Sequence, residues 1–242
     1  MSSPDILSRS DKQNLTFLRK GLVTWYAAHG RMLPWRHDRA SLYHRISVEV
    51  LLQRTRAETV SGFYESFYRR FPDWQSIAEA PVEEIADIIR PIGLYNRRSV
   101  SLKALATYAH SSGGTFPATY EELLKIPAVG QYVANAILMF EHNRPAPLLD
   151  VNMVRVIERF IRPRKMADIR YDPWLQKAAG WLVRHVPLTS NWAILDFAAK
   201  VCKLPLPACD ICPVRQRCSF FRGLRAASKQ QRPRLSVSPH GS

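Results

Sequence analysis

The sequence lacks several features that would place it in common classes of protein. No apolar run approaches the roughly 20 residues that a membrane-spanning helix needs. Residues 1–10 are polar, without the apolar stretch of a signal peptide. The alternating pattern of β-strands joined by hairpin turns is nearly absent, and we find no internal repeat. We therefore expect an intracellular protein that is neither β-rich nor built into a membrane.

Acidic residues are few relative to basic ones. The 242 residues include 35 Lys and Arg against 20 Asp and Glu, which gives a net charge of +15. A charge this large on a small globular chain favours a polyanionic partner, either nucleic acid or an anionic membrane surface. Basic residues recur along the whole chain rather than in one tail. We therefore favour nucleic acid over the alternative of an ordinary soluble basic protein.

The apolar residues are spaced as in helices. They make up 46% of the chain, which is enough to form a buried core. They recur at intervals of three and four, as in Val60, Phe63 and Phe67. We predict an all-α fold of about ten short helices. Residues 223–242 are basic and poor in large apolar side chains, and we predict a disordered tail there.

Cysteine is scarce and confined to one segment, which contains Cys202, Cys209, Cys212 and Cys218. In a reducing compartment such a cluster indicates a metal site rather than disulfides. A zinc ion and a [4Fe–4S] cluster both take four cysteines. Structural zinc sites usually contain two closely spaced cysteine pairs, whereas only Cys209 and Cys212 are that close here. The spacing therefore favours an iron–sulfur cluster, which would brace a basic loop.

A tight turn joins two helical patterns within residues 124–134. Pro127 ends the first helix, and Gly130 permits an unusual backbone angle. The amides at the start of the next helix then point outward, where they can bind a phosphate. The turn therefore favours phosphate binding, although many helix–turn–helix corners look similar. The contacts with nucleic acid predicted here are Pro127, Val129, Gly130 and Gln131.

Two acidic residues occupy informative positions. Asp150 precedes a helical pattern and is by default a helix N-cap. Glu49 interrupts an otherwise apolar segment, where a carboxyl either lies on a solvated face or is held in an apolar pocket. Two carboxyl groups around one site are what cleavage of a glycosidic bond requires. One carboxyl group assists protonation of the leaving group or activates the water, and the other stabilises the cationic sugar.

Together these segments resemble the helix–hairpin–helix DNA glycosylases of the endonuclease III and MutY type. The resemblance runs from about Leu33 to Cys218. It is carried by Leu33-Pro34-Trp35-Arg36, Glu49-Val50-Leu51-Leu52-Gln53-Arg54-Thr55, Ile92-Gly93-Leu94-Tyr95-Asn96-Arg97-Arg98, the turn, Leu149-Asp150 and the cysteine spacing.

The resemblance implies a two-lobed, all-α helix–hairpin–helix glycosylase fold with a C-terminal [4Fe–4S] cluster loop. Residues 1–30 and 143–222 would form the lobe that carries the cluster, with the four cysteines as its ligands. Residues 31–142 would form a helical barrel lobe with the hairpin. Mismatched double-stranded DNA would bind between the lobes, with one base flipped out of the stack. We expect a monomer with no membrane association, cytoplasmic and associated with the nucleoid of a prokaryote.

The resemblance also implies roles for single residues. Asp150 would be the catalytic aspartate, which stabilises positive charge on the sugar. Glu49 would activate water or polarise the leaving base, and Tyr132 would line the base pocket. A side chain near Gln53 or Arg54 would fill the gap left by the flipped base, although a simple phosphate contact is an equal alternative. The predicted DNA contacts outside the turn are Gln53, Arg54, Arg97 and Asn152.

The identity of the substrate depends on finer features. Bifunctional endonuclease III enzymes have a lysine where this chain has Tyr132, so no Schiff base can form there. We predict a monofunctional glycosylase that uses water as the nucleophile. Glu49 and Tyr132 both occur in the MutY and the thymine–guanine mismatch branches. Residues 93–98, and an end soon after the cysteines without a further domain, favour the mismatch branch and thymine or uracil opposite guanine.

Two features are mixed or unusual for that branch. Gln53 resembles MutY, whereas Arg54 resembles the mismatch branch, and Ala128 stands where the family usually has glycine. The alternatives are removal of adenine opposite guanine or 8-oxoguanine, and a non-catalytic iron–sulfur protein that binds DNA.

Overall fold

The structure, a computed structural model, describes residues 6–230, in which all regular secondary structure is helical. The all-α prediction is therefore confirmed, with twelve α-helices in this range. They are α1 Arg9–His29, α2 Leu42–Leu51, α3 Ala57–Arg70, α4 Trp74–Glu79, α5 Val82–Ile89, α6 Tyr95–Ser111, α7 Tyr120–Leu123, α8 Gln131–Phe140, α9 Val151–Phe160, α10 Pro173–Val183, α11 Pro187–Lys200 and α12 Ser219–Gln230. Short 3₁₀ turns occupy Pro34–Arg36, Arg90–Ile92 and Arg215–Arg217.

Polar residues in the local sequence begin many of these helices. Ser8 and Asp11 form a reciprocal capping box at the start of α1. Ser41 accepts a hydrogen bond from the backbone of His44 at the start of α2. Asp172 caps α10, whose first residue is Pro173, a position where a missing N–H costs nothing. These caps satisfy amides that would otherwise lack partners.

Two large apolar clusters form the core. The first cluster lies within residues 33–146 and includes fully buried side chains such as Phe67 and Ile85. The second cluster combines α1, through Leu18, with residues 149–214, through Phe197. Each buried side chain of this size stabilises the fold by roughly 1.5–3 kcal/mol. The division into two lobes stays a prediction, and these two clusters support it.

The C-terminal prediction needs a correction. The sequence predicts disorder from residue 223, but α12 continues to Gln230. Its backbone starts directly from the last cysteine, since the amide of Arg222 donates to the carbonyl of Cys218 at 3.1 Å. Good helix formers such as Leu224 and Ala226 then continue the helix. The prediction of disorder rested on the small number of large apolar residues and did not consider helix propensity. Residues 231–242 of the predicted tail lie outside the described residues.

Between residues 6 and 230, no helix combines the length and the apolar character that crossing a membrane requires.

Candidate active site

An open cleft runs between residues of the two clusters, with Trp35 of the first and Leu149 of the second in its walls. Its volume is about 1290 Å³, above the roughly 300–1,000 Å³ of small-molecule pockets. The predicted site residues that line it are Glu49, Gln53, Arg54, Arg97, Gly130, Gln131, Tyr132, Asp150 and Asn152. The fold therefore gathers in one cleft side chains that are far apart in the sequence.

Asp150 is both a helix cap and a cleft residue. One carboxylate oxygen, Oδ1, accepts the backbone N–H groups of Asn152 at 2.9 Å and Met153 at 2.8 Å. The other, Oδ2, accepts the side-chain amide of Asn152 at 2.6 Å. Partial burial raises the pKa of Asp150, and these hydrogen bonds oppose that rise because they favour the charged form. The N-cap interpretation thus accounts for its backbone position, and the cap leaves the carboxylate in the cleft.

Glu49 lies on α2 and is only 3% exposed. Of the two alternatives raised by the sequence, the solvated face is wrong, because the carboxyl is buried beside the hydroxyl of Tyr132. Burial raises its pKa to about 7, and the charge of Asp150 adds to the rise. The hydrogen bond from Tyr132 and the charge of Arg36 oppose it. The two carboxyl groups are thus close enough for one to change the ionisation of the other.

Tyr132 lies in the first turn of α8, and its hydroxyl donates to Oε2 of Glu49 at 2.9 Å. Burial raises the pKa of Tyr132 well above its usual value, and the charges of Glu49 and Asp150 act in the same direction. The phenol therefore stays protonated and serves as a donor. Tyr132 orients Glu49 within the cleft, a contact between residues 83 positions apart.

A chain of hydrogen bonds connects Asp150 to the cysteine segment. The guanidinium of Arg155 donates to Oδ1 of Asn152 at 3.1 Å, and the same Asn152 donates to Asp150. Arg155 also donates to the carbonyl oxygens of Cys202 at 2.9 Å and Ala198 at 3.1 Å. The sequence analysis missed Arg155, although it lies one helical turn from Asn152 on the same face.

A buried ionic group that includes Arg36, whose charge acts on Glu49, was also missed. Asp196 is fully buried on α11 and accepts hydrogen bonds from Nη1 of Arg36 at 2.8 Å and Nε of Arg31 at 2.6 Å. Both arginines line the cleft. The sequence signal was present, because Asp196 interrupts the apolar stripe of α11 as Glu49 interrupts that of α2.

The turn before α8 differs in detail from the prediction. The unusual backbone angle belongs to Ala128, with φ of +66°, and not to Gly130, whose φ of −96° is ordinary. This is the position where the family usually has glycine, and a side chain is disfavoured there. No side chain caps α8, so its first amides lack a partner from a capping residue.

Two predicted DNA contacts of this turn lie outside the cleft wall. Pro127 is exposed but does not line the cleft. Val129 is buried in the first cluster, and its amide donates to the carbonyl of Ile126 at 3.1 Å. The DNA contacts at Pro127 and Val129 stay predictions, and the side chain and the amide of Val129 are already engaged within the fold.

The four cysteines are free thiols that line a single cavity. Its other walls are mostly apolar side chains of the second cluster, such as Leu18 and Phe197, and include neither histidine nor carboxylate. Nη1 of Arg159 lies 3.6 Å from Sγ of Cys202, and the thiol of Cys218 donates to the carbonyl of Arg159 at 3.3 Å. Among the described residues, no group of three or more His, Cys, Asp or Glu is arranged to hold a metal ion. The iron–sulfur cluster stays a prediction.

Comparisons with known proteins agree with this geometry. The model of the HhH-GPD superfamily of base excision DNA repair proteins matches residues 48–169. A thymine-DNA glycosylase of Aeropyrum pernix is 33% identical, over 87% of this chain and 97% of its own. A thymine/uracil-DNA glycosylase of Pyrobaculum aerophilum is 35% identical, over 86% of this chain and 93% of its own.

A solved structure shows the same similarity in three dimensions. The structure of a thermostable thymine-DNA glycosylase superposes with a TM-score of 0.77 and 28% identity, covering 87% of this chain and 98% of that one. The family expected from the sequence is therefore confirmed. The chain belongs to the HhH-GPD superfamily of base excision DNA repair proteins.

Proposed function

We propose that this protein is a monofunctional mismatch DNA glycosylase of base excision repair, which hydrolyses the N-glycosidic bond of thymine or uracil opposite guanine. The observation that carries the proposal is that Glu49, Tyr132 and Asp150 line one cleft, where Tyr132 donates a hydrogen bond to Glu49. The relatives in Aeropyrum pernix and Pyrobaculum aerophilum, named for thymine and uracil, support the substrate class.

The two carboxyl groups have complementary roles in this reaction. Asp150 accepts three hydrogen bonds that favour its charged form, so it can stabilise positive charge that develops on the sugar. Glu49, with a pKa of about 7, is populated in both protonation states near neutral pH. It can therefore give a proton to the leaving base or take one from the attacking water.

The cleft is built to hold a polyanion. Ten Arg and Lys residues line it against four acidic residues. The uncapped start of α8 adds amide donors and the positive end of a helix dipole. We expect binding to weaken steeply with salt, because each neutralised phosphate releases counterions. A mispaired base is also cheaper to extrude from the stack than a paired one, which supports selectivity for mismatches.

The side chain at position 132 supports the proposal of hydrolysis without strand cleavage. A phenol cannot form the Schiff base through which a lysine at this position would cut the strand. The hydroxyl of Tyr132 is also already committed to Glu49. We further propose that the protein acts as a monomer, which analytical ultracentrifugation with and without DNA tests directly.

We also propose that the four cysteines hold a [4Fe–4S] cluster. The cavity offers four thiols and no other ligand type, a donor set that suits soft iron–sulfur centres or zinc. When bound, the cluster would brace the segment that contains Lys203, Arg215 and Arg217 beside the DNA. Iron and acid-labile sulfide should each reach about four per chain. One zinc per chain without sulfide would replace this proposal with a zinc site.

The decisive assay for the proposed function compares excision from three duplexes, which contain T:G, U:G or A:8-oxoguanine pairs. Hot alkali then cuts the strand at any abasic site. Product from T:G and U:G alone is expected. Product from the adenine duplex alone would favour an adenine glycosylase, and strand cleavage before alkali would refute the monofunctional mechanism. No product from any duplex would leave only a DNA-binding role.

A further inference from the structure

Two loop tips in the cleft adopt a backbone conformation that is rare outside glycine. Arg54, in the loop between α2 and α3, has φ of +57°, and Leu94, just before α6, has φ of +53°. Both residues line the cleft and are exposed to solvent, and the exposed fraction of Leu94 is 51%. Since left-handed conformations are disfavoured for side chains of this size, the surrounding structure must hold each tip in place.

Arg98 makes the contacts that hold both tips. It lies on α6 and is 4% exposed. Its Nη2 donates to the carbonyl of Gln53 at 2.5 Å and to Oγ1 of Thr55 at 2.9 Å, the two neighbours of Arg54. Its Nη1 donates to the carbonyl of Ile92 at 3.2 Å and to that of Gly93, directly before Leu94. One guanidinium thus connects the two loops.

The shape of the guanidinium matters more here than its charge. Within the part of the chain that the structure describes, no carboxylate forms an ion pair with Arg98, and its acceptors are carbonyl and hydroxyl oxygens. A planar fork can serve both loops at once, whereas the single ammonium of lysine cannot span them. Thr55 strengthens the link, because its hydroxyl lies 3.1 Å from the carbonyl of Ile92.

We propose that Arg98 is a positioning residue for base extrusion, which holds the tips at Arg54 and Leu94 at a fixed separation so that they enter the duplex as one rigid unit. Tips that are already ordered lose no conformational freedom when they displace a base, so extrusion is favoured. This inference rests on the proposed function, because it requires a base to leave the stack.

The test measures extrusion separately from binding and from chemistry. The probe is a T:G duplex with 2-aminopurine beside the mispaired thymine, whose fluorescence rises when the neighbouring base leaves the stack. All proteins carry Asp150→Asn so that the DNA stays intact, and fluorescence anisotropy gives the Kd of each. Arg98→Lys is compared with Arg69→Lys, a matched change at an exposed position outside the cleft.

For Arg98→Lys at saturating protein, we expect the fluorescence rise to fall about tenfold, with Kd changed less than about threefold. Arg69→Lys should match its parent. An unchanged fluorescence rise in a folded Arg98→Lys variant would overturn the proposal. So would a variant whose fluorescence rise and affinity for the duplex fall by the same factor.

A second variant covers the case in which Arg98→Lys does not fold. Thr55→Val removes the hydroxyl that accepts a hydrogen bond from Arg98 and contacts the carbonyl of Ile92. We expect this variant to lower the fluorescence rise about threefold. No change with Thr55→Val would then refute the proposal. Excision by the unmodified chain tests the proposed function independently, because the fluorescence experiment involves no bond cleavage.

Discussion

Replacing Glu49 by Gln should stabilise the protein, and by an amount that depends on pH. The carboxyl is buried, and its pKa in the folded chain is about 7 against an ordinary value of 4.5. Ionising it in the folded state is therefore unfavourable. The amide of the Glu49→Gln variant would keep an oxygen that can accept from Tyr132 but would carry no charge at any pH.

The sign and size of the effect follow from linkage. Below the ordinary pKa, Glu49 is protonated in both the folded and unfolded chains and carries no penalty. As pH rises, the unfolded chain loses this proton first, so folding stability declines until the pH passes the folded pKa of about 7. The raised pKa corresponds to about 3 kcal/mol of the free energy of unfolding, lost across that interval.

Urea unfolding of both proteins across this pH range measures the effect. The free energy of unfolding of Glu49→Gln minus that of the parent should grow by about 3 kcal/mol from about pH 4.5 to about pH 8. Groups that titrate alike in both proteins cancel in this difference. A difference that stays constant with pH would refute the claim that Glu49 is held with a raised pKa.

Three further predictions concern neighbouring residues. Tyr132→Phe removes a hydrogen bond that lowers the pKa of Glu49, so the inflection of kcat/KM near neutral pH should move to higher pH; an unmoved inflection would contradict this coupling. Arg155→Lys breaks the link from Asn152 to the cysteine segment and should lower kcat more than it changes KM in steady-state excision; a change in KM alone would contradict it. Ala128→Gly relieves the left-handed backbone and should stabilise the fold by about 0.5–1 kcal/mol in urea unfolding, whereas destabilisation would contradict the assigned strain.

The sequence could predict what depends on local pattern. Apolar spacing predicts the all-α fold, and an acidic residue in an apolar run marks Glu49. The same signal was present at Asp196, but its arginine partners lie about 160 residues away, which no local pattern reveals. The contact between Tyr132 and Glu49 depends on tertiary packing in the same way.

The errors have equally specific causes. Glycine in the turn suggested an unusual angle at Gly130, whereas the chain places that angle at Ala128. In the C-terminal segment, low apolar content suggested disorder, but the helix formers of α12 determine its conformation up to Gln230.

The central claim is that Asp150 serves the chemistry rather than the fold alone, and Asp150→Asn separates the two roles. Asparagine caps helices as well as aspartate does, so α9 and DNA binding should persist while the negative charge beside the sugar is lost. The measurement is the single-turnover rate of thymine excision from a T:G duplex at saturating enzyme. We predict that the variant binds the duplex with the affinity of the parent and releases thymine at least about a thousandfold more slowly; a rate equal to that of the parent would contradict the account.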